Sequence, residues 1–582
     1  MGANEKCFCG SGIKYKKCCK HLVDEYYCSS NNISADLEFI LIKLTHRLLF
    51  QKYDNTYLKE ISTIPIITII DWVSYLDIKL NEFSDFDKRF VVDSIHGLFE
   101  NQVLTKVKII CDLRDNVAFL HQALILNLFK FSLIYSPVQE ELPQSDTLKY
   151  KIGKILLKLN DYPESEPNNF KSLNMDPKVF IEQFTIMDSM NRSVDNPRLF
   201  LLRYKILFLD IPKTLTAHPE YIDFQQLFFN TFGLTLQQYI AFNFGLYSVF
   251  RTYKHIDETT FFSNTGIKPA TGQKFFDLVR LDYEKYKSAV SKELDFQSDI
   301  TYRNVTPQKY PLIKVFNKTY CISRRYLLQK GSGNLYWLFF DKANERYGCI
   351  SKFTTYFGEL FQSYIAKLLS KINFKRYKIG LRARNSKKQG HKPEIDLLIY
   401  DETNIAVVEI KTSRLNRNIL ETGNIELFKK DLGKTYEDAI DQIAKIFKCI
   451  FNNEFELPIA MSKVKYFYPI TLFLEPLPQE IFINQYYREI VERHELLNIA
   501  ANIRFPTIMD SLEFEYSLKL LEENAFFSVL EDRLNDSILK EKSFNNFLFK
   551  KYNTKVSIPK QLQQELKEYN TKITKELNFK KV

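Results

Sequence analysis

The sequence predicts an α/β domain in its C-terminal third, a mainly α-helical central region before it, and a small cysteine knuckle at the N-terminus. Three observations carry that expectation. Residues 394–411 read as two apolar strands joined by a polar turn. Residues 30–300 repeat apolar side chains near helical spacing. Four cysteines fall within residues 7–19.

The hairpin comes first because it carries chemistry. Its strands are Glu394-Ile395-Asp396-Leu397-Leu398-Ile399-Tyr400 and Ile405-Ala406-Val407-Val408-Glu409-Ile410-Lys411, with a turn from Asp401 to Asn404. Side chains alternate along a strand, so Glu409 and Lys411 share one face while Val408 and Ile410 take the other. Nearly unbroken apolar runs are expected of strands covered on both faces. A charge there is costly unless it is paired or bound to a metal. Carboxylate oxygens such as those of Asp396 and Glu409 suit Mg²⁺, which retains several waters. A bound water of lowered pKa is a nucleophile, and Lys411 is placed to hold it and to offset charge on a phosphorane-like transition state. Acid-x-Lys alone is weak: it recurs at Asp77-Ile78-Lys79, Asp176-Pro177-Lys178 and Glu565-Leu566-Lys567. Those three lack a preceding acid-bearing apolar strand and a helix on each side.

Pro393-Glu394-Ile395-Asp396 followed by Glu409-Ile410-Lys411 resembles the PD-(D/E)xK nuclease superfamily, whose fold is restriction-endonuclease-like. The resemblance covers roughly residues 350–530. It implies Asp396 and Glu409 as ligands of Mg²⁺ or Mn²⁺, the Ile410 carbonyl as a third ligand, and Lys411 as the catalytic lysine. It also implies an amphipathic helix before the first strand, often with a Glu. Phe357, Leu360, Phe361, Tyr364, Ile365 and Leu368 form such a stripe, with Glu359 beside it. A helix after the lysine strand with a site-facing Gln matches Tyr436 to Ile450, which offers Gln442.

From Lys371 to Lys392 there are nine Lys or Arg and no acid, with Phe374 and Tyr377 interleaved. The run leads into the hairpin. Arg382, Arg384, Lys387, Lys388 and Lys392 are its candidate nucleic-acid contacts, since such a stretch suits a phosphate backbone without reading sequence. A solvated surface loop is the plain alternative. His391 sits near Asp396, and a surface loop position is its simplest reading.

Cys7, Cys9, Cys18 and Cys19 satisfy tetrahedral Zn²⁺, and Gly10 and Gly12 permit the turn between the pairs. So short a segment cannot bury a core, so its folding would depend on the metal. Disulfides are the alternative, but adjacent Cys18 and Cys19 make a poor framework for them. The stretch resembles the SEC-C motif, with Phe8 where Pro is common and Ile13 where Lys is common. His21 is an alternative ligand to Cys19. With four protein ligands the site reads as structural. The resemblance implies docking to a protein, a ribosome or nucleic acid.

In the central region Leu37 to Phe50, Arg89 to Phe99 and Val117 to Ile134 read as helices. Phe224 to Phe250 reads as packed core rather than a base-stacking platform. Short strands are expected at Pro311 to Phe316, Thr319 to Ser323 and Leu335 to Phe340, forming a bridging segment at 301–345 that extends or joins the sheet of the α/β domain. Tyr466 to Glu475 reads as a later strand of that sheet, and residues 531–582 as a charged helical tail. Cys111, Cys321, Cys349 and Cys449 read as buried thiols.

At 582 residues the chain should hold two to four domains, and its net charge of +11 fits an anionic partner. No apolar run approaches a membrane span, no signal peptide opens the chain, and a reducing cytoplasm is the expected compartment. The function expected is a metal-dependent endonuclease, with DNA favoured over RNA by family habit alone and defence against foreign DNA as a setting. The competing class is a docking protein whose nuclease-like fold binds nucleic acid without cutting. Partner, trigger and oligomeric state are not legible in the sequence.

Overall fold

A computed structural model provides the structure of the chain. The described residues are 4–6, 14–17, 20, 42–43, 46–50, 54, 56–80, 97–113, 117–139, 142–161, 196–263, 267–294, 304–383, 394–416, 425–455, 457–477, 481–537, 539–552 and 558–577. They are predominantly helical and include mixed sheets. No described helix is long and apolar enough to cross a membrane. The chain divides into two compact units. One takes residues 1–193, 243–330 and 580–582, and the other takes 194–242 and 331–579.

In the first unit, helices Ile66–Leu80, Gln122–Tyr135 and Asp146–Asn160 carry the apolar core, with Ile69, Val73, Leu128, Phe129, Ile152 and Leu156 fully buried. Two of them start on side-chain caps, where His121 Nδ1 accepts from Leu124 N–H and Ser145 Oγ from Leu148 N–H. The expected helix over Val117 to Ile134 starts later. Val117–Ala118 pairs as a short parallel strand with Ile42–Lys43, and the helix begins at Gln122. Ile42–Lys43 also interrupts the helix expected over Leu37 to Phe50, of which His46–Phe50 is helical, and residues 89–96 of the helix expected over Arg89 to Phe99 lie outside the described residues.

Strands Leu312–Val315 and Lys318–Cys321 form where short strands were expected, but they do not extend the sheet of the α/β domain. They sit in a separate four-stranded sheet between His255–Asp257 and Arg280–Asp282. Leu335 to Phe340 is a correction as well: it lies within helix Asn334–Tyr347. Its aromatic run imitates a strand over a short window. Over the whole segment Leu335, Tyr336, Phe339 and Ala343 fall on one buried helical face. Gly348 ends that helix in the left-handed region at φ 62°, its N–H donating to Asn344 O at 2.8 Å.

The second unit holds α1 (Pro197–Lys205), α2 (Phe224–Phe232), α3 (Asn334–Tyr347), α4 (Ile350–Leu369), β1 (Lys378–Ala383), β2 (Ile395–Tyr400), β3 (Asn404–Lys411), α5 (Ile425–Phe451), β4 (Tyr466–Phe473), α6 (Ile481–Arg493), β5 (Thr507–Asp510), α7 (Ser511–Glu522) and α8 (Phe526–Asn535). The strand order is β5-β4-β3-β2-β1. β1, β2 and β3 are antiparallel neighbours, whereas β3, β4 and β5 run parallel. A parallel pair needs a crossover, which α5 provides between β3 and β4.

Both sheet faces are covered, as the apolar strands require. On one face Phe447 and Phe451 of α5 pack edge-on against Phe467, and Tyr436 against Phe473. On the other, Phe527 of α8 meets Tyr468 and Tyr377. The segment 194–242 also belongs to this unit. Phe208, in a π-helical turn after α1, packs on Phe224, Phe339 and Phe357 at centroid distances of 5.1–5.6 Å. Phe224 and Phe228 are thus packed core, as read from the sequence.

A buried ion pair ties the unit together. Arg203 of α1 donates from Nε to Glu515 Oε1 at 2.6 Å and from Nη2 to Oε2 at 2.8 Å. Tyr364 of α4 donates to the same carboxylate at 2.6 Å. The side chains of Arg203 and Glu515 are 2% and 0% exposed, so each must compensate the other.

Candidate metal centre

The hairpin register sets the site. β2 and β3 pair Leu397 with Val408, and the same register continued by one residue sets Asp396 opposite Glu409. Residues directly opposite in an antiparallel pair point to the same face. In the parallel pair β3–β4, Glu409 lies beside Thr471 and Lys411 beside Phe473. That is the face covered by α5.

Asp396 is half-buried and held at both carboxylate oxygens. Oδ2 accepts from Ile410 N–H at 2.8 Å, and Oδ1 accepts from Gln362 Nε2 at 2.9 Å. The Ile410 N–H thus goes to a side chain at the place where the two strands part. Glu409 is 2% exposed. Its Oε1 meets Lys411 Nζ at 2.9 Å, and Lys411 Nζ also donates to Gln442 Oε1 at 2.7 Å. Glu409 Oε2 is buried and has no hydrogen-bond partner among the described residues. Burial pushes the Glu409 carboxyl up from 4.5 to about 7, the nearby charge of Asp396 adds to the rise, and Lys411 opposes it.

The residues fit a hard divalent cation. An orphaned buried carboxylate oxygen is costly, and a cation beside it would remove both that cost and the repulsion from Asp396. Among the described residues no three His, Cys, Asp or Glu side chains gather as a metal site. The candidate donor set is therefore two carboxylates with the Ile410 carbonyl as the third member.

The structure brings together Asp396, Glu409, Lys411 and Gln442. Glu359 lies half-buried on α4, one turn before Gln362. The α4 side chain bonded to Asp396 is Gln362, which sequence reasoning missed. Its signal was available: it stands three residues after Glu359 on the polar margin of the same apolar stripe. Arg414 was missed too, and no local pattern marks it. It follows Lys411 by three residues, is nearly buried, and lies over the Tyr336 ring at 4.1 Å. It pairs with Glu475 at 2.9 Å, and Glu475 also accepts from Tyr204 OH at 2.6 Å. This cluster fixes the chain just beyond the ends of β3 and β4.

The basic run divides. Lys371 and Arg376 are engaged in ion pairs, with Glu565 and with Asp401 respectively. Tyr377, expected as an interleaved aromatic, is 4% exposed and packs on Phe527. Hydrophobic contact, not base stacking, accounts for it. Arg382 lies on β1, the edge strand of the sheet. Arg384, Lys387, Lys388, His391 and Lys392 fall outside the described residues. Cys349 is exposed rather than buried, while Cys321 is buried as expected and Cys449 lies between.

At the N-terminus Lys6 and Lys14 form an isolated antiparallel bridge, followed by the 3₁₀ turn Tyr15–Lys17. Cys7, Cys9, Cys18 and Cys19 lie outside the described residues, as does His21. Four thiols at that spacing are a chemically complete set for zinc.

No curated protein and no solved structure matches the chain. A family model does match at one end, and on it the chain carries a SEC-C motif at residues 4–20.

Proposed function

We propose that the second unit is a Mg²⁺- or Mn²⁺-dependent nuclease that hydrolyses phosphodiester bonds, with DNA the favoured substrate. The observation that carries this reading is the convergence of Asp396, Glu409 and Lys411 on one sheet face, with Glu409 Oε2 buried and without a hydrogen-bond partner among the described residues. The helix α4 ahead of the β2–β3 hairpin and the helix α5 after it support this reading. Asp396, Glu409 and the Ile410 carbonyl would hold the metal. When bound, the cation would polarise the scissile phosphate and lower the pKa of a water.

The chain's own residues supply the rest. Gln362 and the Ile410 N–H fix the Asp396 carboxylate in one orientation. Gln442 holds the Lys411 ammonium on the site face, where it orients a water and offsets the extra negative charge of the five-coordinate phosphorus. Exposed Lys375 and Lys378 would meet the phosphate backbone, together with Arg382, Arg384, Lys387, Lys388 and Lys392. Zinc on Cys7, Cys9, Cys18 and Cys19 would make the knuckle a docking module, with a cytoplasmic protein, ribosome or nucleic acid as its partner.

The SEC-C motif favours a second reading, a docking protein that binds nucleic acid without cutting it. One experiment separates the two. Wild type and Asp396→Ala are incubated with single- and double-stranded DNA and RNA in Mg²⁺, Mn²⁺ or EDTA. Metal-dependent products from wild type alone are expected. Salt-sensitive binding with no product from either protein would reject the nuclease reading.

A further inference from the structure

A cleft of about 230 Å³ lies between α6, β5, α8 and the 3₁₀ turn Leu539–Glu541. Its lining includes four cationic side chains, Arg488, Arg504, Arg533 and Lys540. One carboxylate faces them, Glu531. That carboxylate is already engaged: Arg504 pairs with Oε1, and Tyr468 OH donates to Oε2 at 3.0 Å. Lys540 has no ion pair among the described residues. The lining thus presents four cationic side chains and one carboxylate in a partly enclosed space, a composition that attracts an anion.

The cations are also held ready. The Arg504 guanidinium lies over the Tyr466 ring at 3.7 Å, and its Nε–H has no acceptor among the described residues. Arg488 lies over Phe505 at 4.9 Å. Arg533 is 6% exposed and donates from Nη2 to Lys542 O at 2.8 Å. Stacked, oriented guanidinium groups lose little freedom on binding and match phosphate oxygens two at a time. The volume falls below the roughly 300–1,000 Å³ of pockets for drug-sized ligands, so it suits a phosphate or a small phosphomonoester.

The cleft is separate from the candidate metal centre. Arg504 N–H donates to Phe467 O, near the start of β4, whereas Glu409 lies beside Thr471. Those positions are about 13 Å apart along the strand. We propose that this cleft is a binding site for the phosphate group of a small ligand. Arg488, Arg504, Arg533 and Lys540 are its recognition residues. The proposal stands on the cleft alone and does not require the nuclease reading.

The test is isothermal titration of the full-length protein with inorganic phosphate, pyrophosphate and AMP, in EDTA and at constant ionic strength set with chloride. EDTA removes metal-mediated phosphate binding. Wild type and Asp396→Ala should both bind at least one of the three saturably, and the preferred ligand distinguishes free phosphate from a phosphate on a nucleoside. The double variant Arg488→Gln/Lys540→Gln should bind at least about tenfold more weakly. The single variant Lys540→Glu, at a half-exposed position, should weaken binding in the same direction with an unchanged thermal midpoint. Absence of saturable binding by wild type, or equal affinity in both charge variants, would overturn the proposal.

Discussion

Replacing Glu409 with Gln should make the metal-free protein more stable while removing its activity. The Glu409 carboxyl is raised from 4.5 to about 7 in the folded chain. The folded state therefore holds a proton that the unfolded chain releases. The stability this contributes is fully present below about 4.5 and is lost as pH rises through about 7. At about 1.4 kcal/mol per pH unit, the ionised side chain costs the fold at most about 3.5 kcal/mol above pH 7. Gln occupies nearly the same volume without the charge, although it gives up the 2.9 Å ion pair with Lys411. A net gain of about 1–3 kcal/mol at about pH 8 is expected, measured by urea unfolding in EDTA. Saturating Mg²⁺ should then narrow the gap. A ligand at about 100 times its Kd adds about 2.7 kcal/mol to wild type, and the Gln variant has lost a donor. The reasoning is refuted if the variant is the less stable protein in EDTA, or if Mg²⁺ stabilises both equally.

Lys411→Ala should abolish cleavage and leave nucleic-acid affinity within about threefold of wild type, read by gel shift beside product formation. Gln442→Leu should lower the cleavage rate by about 10–100-fold, because the ammonium loses the acceptor that aims it. Glu515→Ala should cost about 3–5 kcal/mol in urea unfolding, whereas Arg203→Met with Glu515→Leu should cost less, since the pair removes both buried charges. Cys7→Ser with Cys9→Ser should reduce bound zinc from one equivalent to near zero by elemental analysis, with metal-dependent cleavage of a short oligonucleotide retained.

The hairpin was legible because its signals are local. Alternation placed Glu409 and Lys411 on one face, and the short turn fixed the register that sets Asp396 opposite Glu409. The stripe of α4 and the C-terminal half of α5 were legible for the same reason, as periodicities within a single segment, whereas α5 starts at Ile425, eleven residues before the helix read at Tyr436 to Ile450. What escaped depends on contacts between distant segments. Nothing near Arg414 in sequence announces Tyr204 or Glu475, and nothing near Leu335 says that its aromatic run winds as a helix against Phe208 and Phe357. Strands 312–315 and 318–321 were found, but their partners at 255–257 and 280–282 were not, because three-residue strands carry almost no pattern.

The way the chain crosses between its two units has a consequence for its synthesis. Arg203 leaves the ribosome 312 residues ahead of Glu515. At about 5–20 residues per second that is a wait of roughly 15–60 s. During it a guanidinium destined for complete burial has no counter-charge, and until residues 334–369 are made the aromatic side chains of residues 200–232 have no α3 or α4 to cover them. The nascent chain therefore carries an uncovered apolar segment until α4 is made, and an unpaired cation in it until residue 515. Nascent-chain holding factors would meet this protein at residues 197–232, and slowing translation between residues 240 and 515 should increase its aggregation.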